Sequence, residues 1–432
     1  MKKRKINGKK ALLYVMIACI TAGLGIAVIY KSGYLNKSSE ATMTAVETFR
    51  GQFLEYVKEH IDTDKDGVIS KDECKAVTAI CLYDGIGPEY FETPGIGTYL
   101  DEPEGSVRVD SQSFEWDSKW LKAFPNLKVL YLAGCGISEL DLSGNPLLEE
   151  LTCCGNKLTT LDLSNNPKLR KVFCNENALV SLKAPTSGRS ELEILDCSSN
   201  RLTELNIEGF PAMTYLRCSH NSFEKLQFGK NGCLENLFCD GNELENLDVS
   251  QLSALRQLDC ALNRMRELRL EGCGELENLH CRNNRLESLD LRGVPNLKEM
   301  DCDGNELTSL DLSVVPKMES LVCYDNQLEN LDVSVLGQLR YLMCDDNRMR
   351  ELDVTACTYL WYLSCRDNQL ETLNVGGLSE LTAIECSGNC LTELDISTNA
   401  AISFVDYCKN PITEIDISHN PRLTEQKDGI CN

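Results

Sequence analysis

Over the last two-thirds of the chain the apolar positions follow one period. Ten cysteines, from Cys197 through Cys218, Cys239, Cys260, Cys281, Cys302, Cys323, Cys344 and Cys365 to Cys386, stand 21 residues apart. The phase runs back through Cys174 and Cys153 to Leu132, with one two-residue insertion between Pro185 and Ser190, and forward to Tyr407, giving fourteen units. An asparagine follows three residues after each cysteine, from Asn156 to Asn410. Written from the cysteine, the unit is C-x-x-N-x-L-x-x-L-D-L-S-x-N-P-x-L-x-x-L-x, in which L-x-x-L-x-C-x-x-N and L-x-x-L-D-L-S-x-N each read as a short extended stretch ending in a turn. A unit this short cannot bury its own leucines, so successive units must stack into a coil whose interior is a set of residue ladders.

Upstream the period changes. Residues 62–73 read Asp-Thr-Asp-Lys-Asp-Gly-Val-Ile-Ser-Lys-Asp-Glu, matching the D-x-[DN]-x-[DN]-G-x5-E pattern of an EF-hand-like calcium loop at every specified position. Asp62, Asp64 and Asp66 supply alternate oxygens, the Val68 carbonyl a backbone ligand, Ser70 a direct or water-mediated one, and Glu73 a bidentate carboxylate. Val46, Phe49, Phe53 and Val57 predict a helix before the loop, and Cys74, Val77, Ala79, Ile80 and Cys81 a helix after it. A lone loop outside the cell, where calcium is near millimolar, is expected to be permanently filled and structural.

Ala11 to Tyr30 is an uncharged apolar run preceded by Lys2, Lys3, Arg4, Lys5, Lys9 and Lys10. Its length suits a membrane span, and the preceding positive charges place the first ten residues in the cytoplasm and the rest outside. No A-x-A site follows the run, which favours an uncleaved anchor. A cleaved signal, giving a secreted protein, and a lipoprotein signal ending at Cys19 are the alternatives. The expected organisation is therefore a basic tail (1–10), a transmembrane helix (11–30), a linker (31–45), an EF-hand-like helix-loop-helix (46–83), a cap (84–125) and the repeat array (126–432).

The net charge is -23, and the first forty residues contribute +7 of it, so the remainder carries -30. Such a body repels phosphate backbones, and nucleic-acid binding is excluded as an expectation. Twenty-three cysteines would ordinarily suggest disulfides or metal sites. Side chains pointing the same way in register suit neither S–S geometry nor a tetrahedral metal set, so the reading is a column of reduced thiols acting as small apolar residues.

The motif is the L-x-x-L-x-L-x-x-N/C-x-L signature of a leucine-rich repeat with cysteine in one leucine slot. With the calcium loop ahead of it and the Phe124-Pro125-Asn126-Leu127 entry, the array resembles the internalin J-like leucine-rich-repeat surface proteins of Gram-positive bacteria, over residues 126–432. That resemblance implies a solenoid of parallel β-strands with short turns or 3-10 segments, surface attachment, and recognition of proteins or glycans. Members often end in an L-P-x-T-G sorting signal, whereas this chain ends Lys427-Asp428-Gly429-Ile430-Cys431-Asn432, which leaves attachment to the N-terminal span.

Two outward columns differ in character. The varied one, beside the cysteines, offers Tyr215, Phe238, His280, Arg282, Tyr324, Tyr341, Tyr362 and Arg366 as partner-binding candidates, aromatics and arginines being the usual recognition residues. β-Propensity by itself also favours aromatics on a strand. The monotonous column, with Asp141, Asp162, Asp248, Asp290, Asp311, Asp332, Asp353, Asp395 and Asp416, is expected to accept hydrogen bonds at the adjacent turn. No G-x-S-x-G or phosphate loop is present, the histidines are scattered, and the ladder hides its thiols, so no enzyme is expected. The functional expectation is a monomeric, membrane-anchored extracellular module that binds a protein or glycan on its strand face. The rival is a structural spacer or envelope component without a specific ligand.

Overall fold

The computed structural model describes residues 27–31, 62, 64–66, 69–83, 107–108, 116–185, 190–207, 210–229 and 231–423. The chain divides into two compact units, Met1–Met213 and Thr214–Asn432. In the first, the strand Val77–Tyr83 pairs in parallel with Val129–Ala133, and the ladder continues through Glu150–Thr152, Lys171–Phe173 and Ile194–Asp196. In the second, ten three-residue strands from Tyr215–Arg217 to Phe404–Asp406 form a parallel ladder in which each residue faces its equivalent one repeat on, as Leu237 faces Leu258 and Leu279 faces Met300. The other limb of the coil is less regular, with short parallel pairs such as Asn246–Asp248 with Glu267–Arg269 and Glu351–Asp353 with Thr372–Asn374.

Each three-residue strand of the two ladders buries its central residue and turns the flanking two outward, which is what a two-residue alternation dictates. The chain then bends at the cysteine. Cys153, Cys174, Cys197 and every ladder cysteine to Cys386 are 0% exposed, and all of them are free thiols. Burial first, and the negative charge of neighbouring groups second, drive their acidity down, raising Cys386 to about 12 and the interior thiols further.

The bend leaves carbonyls pointing inward, and the asparagine three residues on satisfies them. Asn305 donates from Nδ2 to the carbonyls of Cys281, Cys302 and Asp303 at 3.1, 3.0 and 3.2 Å, while its Oδ1 accepts from the Leu286 N–H at 3.0 Å. The same set recurs at Asn242, Asn263, Asn284, Asn326, Asn347, Asn368 and Asn389. Between cysteine and asparagine the chain passes through a left-handed residue, φ 54° at His220 and Leu262 and 60° at Gly304. That conformation disfavours most side chains, yet the stacked turn imposes it on whatever residue is there.

The second turn uses a related device at the ends of the array. Asn145, Asn166, Asn399 and Asn420, all fully buried, each donate to two carbonyls of the preceding rung. In the middle, apolar Leu252, Val294, Val315 and Leu336 take that position, and at Cys273 and Cys357 the thiol lies 3.2 and 3.6 Å from a carbonyl. The nine aspartates of the monotonous column behave as the sequence predicts: each accepts from the backbone N–H two residues on, at 2.9–3.0 Å. Ahead of the first repeat, a 3-10 helix, Ser118–Ala123, is capped by Asp117, and Trp120, Leu121, Phe124 and Leu127 close the stack.

Two expectations are corrected. The helix expected after the acidic loop spans only Lys71–Ala76, and Val77–Tyr83 is a strand. Its β-branched Val77, Thr78 and Ile80 favour extension, and pairing with Val129–Ala133 buries Val77, Ile80, Cys81 and Leu82. Cys74 and Cys81 therefore belong to different elements. Ala27–Lys31, the end of the apolar N-terminal run, is also a strand, antiparallel to Val77–Tyr83, so the expected span does not stay helical to Tyr30. The basic tail, the run from Ala11 to residue 26, most of the linker, the helix before the loop and most of the cap lie outside the described residues. Among the described residues no helix is long and apolar enough to cross a membrane.

Cys281, at mid-array, is 0% exposed, and its N–H donates to the Asp301 carbonyl at 2.8 Å. Cys281→Ala opens a small cavity and is expected to cost about 1–2 kcal/mol, with Cys281→Ser somewhat worse and Cys281→Val tolerated best. Denaturant melts measure the series. Rapid alkylation of the ladder in the native state would contradict the buried-thiol assignment on which it depends.

Candidate functional site

In the second unit the residues one and three before each cysteine point out of the coil. Rungs so close together shield one another, so most of this face is half-buried rather than exposed. Tyr215 is the extreme: it is 1% exposed, with its ring 5.5 Å from that of Phe238. It is a packing residue, and the expectation that it contacts a partner is corrected. Phe238 remains half-buried beside it.

The other six candidates fall into two groups. His280, Arg282 and Tyr324 surround a carboxylate pair, Asp301 and Asp303. His280 Nδ1 and Arg282 Nε each lie 3.8 Å from Asp301 Oδ2. Burial, followed by hydrogen bonding to Asp301 and its negative charge, pushes Asp303 up to about 7. Asp301 stays below the usual carboxylate value: burial opposes this, but hydrogen bonds from His280 and Asp303 and the Arg282 charge prevail. The hydrogen bond to Asp301 raises His280. Asp301 belongs to the varied column, but only the fold shows that it and Asp303 meet.

Tyr341, Tyr362 and Arg366 form the second group. The two tyrosine rings stack with centroids 4.8 Å apart and planes 10° apart. Trp361 leans on both, at 5.7 and 5.8 Å, and is 45% exposed. Tyr359, 49% exposed, lies beneath the Arg340 guanidinium at 5.7 Å. Arg366 pairs with Glu385, which also accepts from the Tyr362 hydroxyl at 2.6 Å. Sequence reading misses Trp361 and Tyr359 because they precede the strand, outside the columns that the period picks out.

In the acidic loop ahead of the helix Lys71–Ala76, carboxylate oxygens of Asp62, Asp64 and Asp66 lie within 4.8 Å of one another. The Asp66 N–H donates to Asp62 Oδ1 at 3.2 Å and Asp64 Oδ1 at 3.3 Å, holding the loop closed around them. A set of hard oxygens at this spacing fits a divalent cation. Ser70 caps the helix, accepting from the Glu73 N–H at 3.2 Å, and the Glu73 carboxylate returns to the Ser70 N–H at 2.9 Å, a capping box. Glu73 is thus hydrogen-bonded to Ser70 at the start of the helix. Val68 lies outside the described residues.

A leucine-rich-repeat family model matches residues 191–213. No curated protein sequence matches the chain. Among solved structures, the functional domain of InlJ (internalin J) from Listeria monocytogenes, which includes a cysteine ladder, is 26% identical with TM-score 0.64, over 89% of this chain and 75% of that one. The chain is similar to the internalin J leucine-rich-repeat array in fold and in its cysteine ladder. A leucine-rich-repeat protein of Leptospira interrogans is 24% identical with TM-score 0.62, covering 71% of this chain and 84% of that one. YopM from Yersinia enterocolitica is 25% identical with TM-score 0.57, covering 69% and 73%. In this internalin J-like array the ladder is interior structure, and what varies between rungs is the outward face.

The Asp303 group makes that face sensitive to pH. In the unfolded chain Asp303 titrates near 3.8, so between about pH 4 and about pH 7 the folded protein keeps a proton that the unfolded chain has lost. The contribution to stability therefore falls as pH rises through that window, and His280, also raised, loses its charged form in the same direction. Asp303→Asn removes the acid. It is expected to raise the melting temperature at about pH 8 relative to the parent and leave it little changed at about pH 4. Equal effects at both pH values would contradict this.

Proposed function

We propose that this protein is a membrane-anchored extracellular recognition module that binds a protein ligand on the strand face of its second unit, with a glycan as the other ligand class. The carrying observation is the aromatic group of Tyr341, Trp361 and Tyr362, with Trp361 45% exposed, on a ladder whose every rung is hydrogen-bonded to the next. Large aromatics on a rigid face give contact area with little ordering entropy, the property of interface hot spots. The leucine-rich-repeat solenoid itself suggests recognition or adhesion. The basic N-terminus ahead of an apolar run supports anchoring and an outward-facing array. The test is capture from cell-surface extracts with full-length protein against a Trp361→Ala/Tyr362→Ala variant. Capture should fall at least tenfold in the variant while its melting temperature stays close to the parent's. Equal capture would move the interface elsewhere, and no specific capture by either would favour the spacer reading.

The loop is assigned calcium, held by Asp62, Asp64, Asp66, the Val68 carbonyl, Ser70 and Glu73, in a structural role. The three converging aspartates support this, and calcium supplies the positive charge that their mutual repulsion calls for. Glu73→Gln keeps both capping hydrogen bonds but removes the charge. Calorimetry with calcium on the full chain is expected to show binding weakened at least tenfold in Glu73→Gln, with the repeats still folded. Absence of binding in the parent at millimolar calcium would end the assignment.

A further inference from the structure

The column that carries Tyr341 and Tyr362 continues in register through Ala383 to Phe404. Ring stacks on ring between Tyr341 and Tyr362, with centroids 4.8 Å apart. At the next rung a methyl group replaces the ring, and at the rung after that the aromatic returns. Two rungs of a parallel sheet place Tyr362 and Phe404 about 9.6 Å apart. A planar group needs about 3.5–4 Å on each side. The column is therefore interrupted by a slot one planar group thick, with Ala383 as its floor.

The rim is charged. Glu385 and Asp406 end the same two strands as Ala383 and Phe404. Glu385 is held in place by the Tyr362 hydroxyl at 2.6 Å and by Arg366, whose Nε is also 4.0 Å from Asp406. Glu385 is buried and taken up by Arg366 and Tyr362, which leaves Asp406 as the carboxylate that an incoming cation would meet.

We infer that this slot takes an arginine side chain presented by a protein partner, its guanidinium stacked between Tyr362 and Phe404 with its edge toward Asp406. Guanidinium alone among protein side chains is planar, permanently cationic and weakly hydrated, and it meets carboxylates through a fork of N–H donors. A lysine ammonium has the charge without the plane, and a neutral sugar ring stacks without the charge. The inference rests on the recognition reading of this face and names the side chain recognised.

The probe is N-acetylarginine amide, titrated into the full-length protein by calorimetry beside N-acetyllysine amide and methyl glucoside. Arginine amide is expected to bind at least tenfold more tightly than either. Ala383→Leu fills the slot, and Asp406→Asn removes rim charge while retaining shape. Each should weaken arginine binding, Ala383→Leu at least tenfold, with circular dichroism and melting temperature unchanged. Lysine amide or glucoside binding as well as arginine amide, no arginine binding by the parent, or undiminished binding by Ala383→Leu would overturn the slot. Partner capture retained by Ala383→Leu and lost in Trp361→Ala/Tyr362→Ala would reject the slot while leaving the recognition face standing.

Discussion

A coil that turns sharply at each repeat strands backbone carbonyls inside the protein, where water cannot reach them, and an unpaired buried carbonyl costs about as much as a lost hydrogen bond. The asparagine amide three residues after each cysteine resolves this. Asn305, 8% exposed, serves three carbonyls on two rungs and accepts an N–H from the earlier rung. The amide thereby sets both the shape of the turn and the stacking of one turn on the next. A leucine there would take away the acceptor of the Leu286 N–H and one donor from each of the three carbonyls, and an aspartate could not donate.

The chemistry of the cysteines follows from that turn. With the backbone drawn tight by asparagine, the slot one turn earlier is narrow, and a thiol fills it without a branched carbon or an obligatory partner. The same enclosure denies the thiolate any solvation, so burial is the leading cause of every upward shift along the ladder. Within a composition that resembles a disulfide scaffold, the ladder is instead an apolar column of free, buried thiols.

Outside the coil the spacing that stabilises the sheet also governs what its face can do. Adjacent rungs bring like positions close enough to stack Tyr341 on Tyr362 and to set His280 beside Asp301, which shares a hydrogen bond with Asp303 on its own rung. Neighbouring side chains thus act as groups. One group is polar, half-buried and titratable around Asp303, and the other is aromatic around Tyr362, with Trp361 standing clear of the sheet.

Periodicity was enough to establish the solenoid, the inward cysteines and asparagines, and the turn-capping aspartates, because a pattern repeated over so many units leaves one arrangement that buries every leucine. The convergence of Asp62, Asp64 and Asp66 was legible for the same kind of reason, their alternate spacing bringing the three carboxylates together. What lay beyond the sequence was whatever depends on a neighbour. Val77–Tyr83 has apolar residues at spacings that suit a helix as well as a strand, and only the free edge of Val129–Ala133 decides for the strand. Tyr215 and Trp361 are both large aromatics in or beside the varied column, yet one is 1% and the other 45% exposed. Exposure depends on what the adjoining rungs present, and the slot over Ala383 exists only because three successive rungs carry a ring, a methyl group and a ring in register.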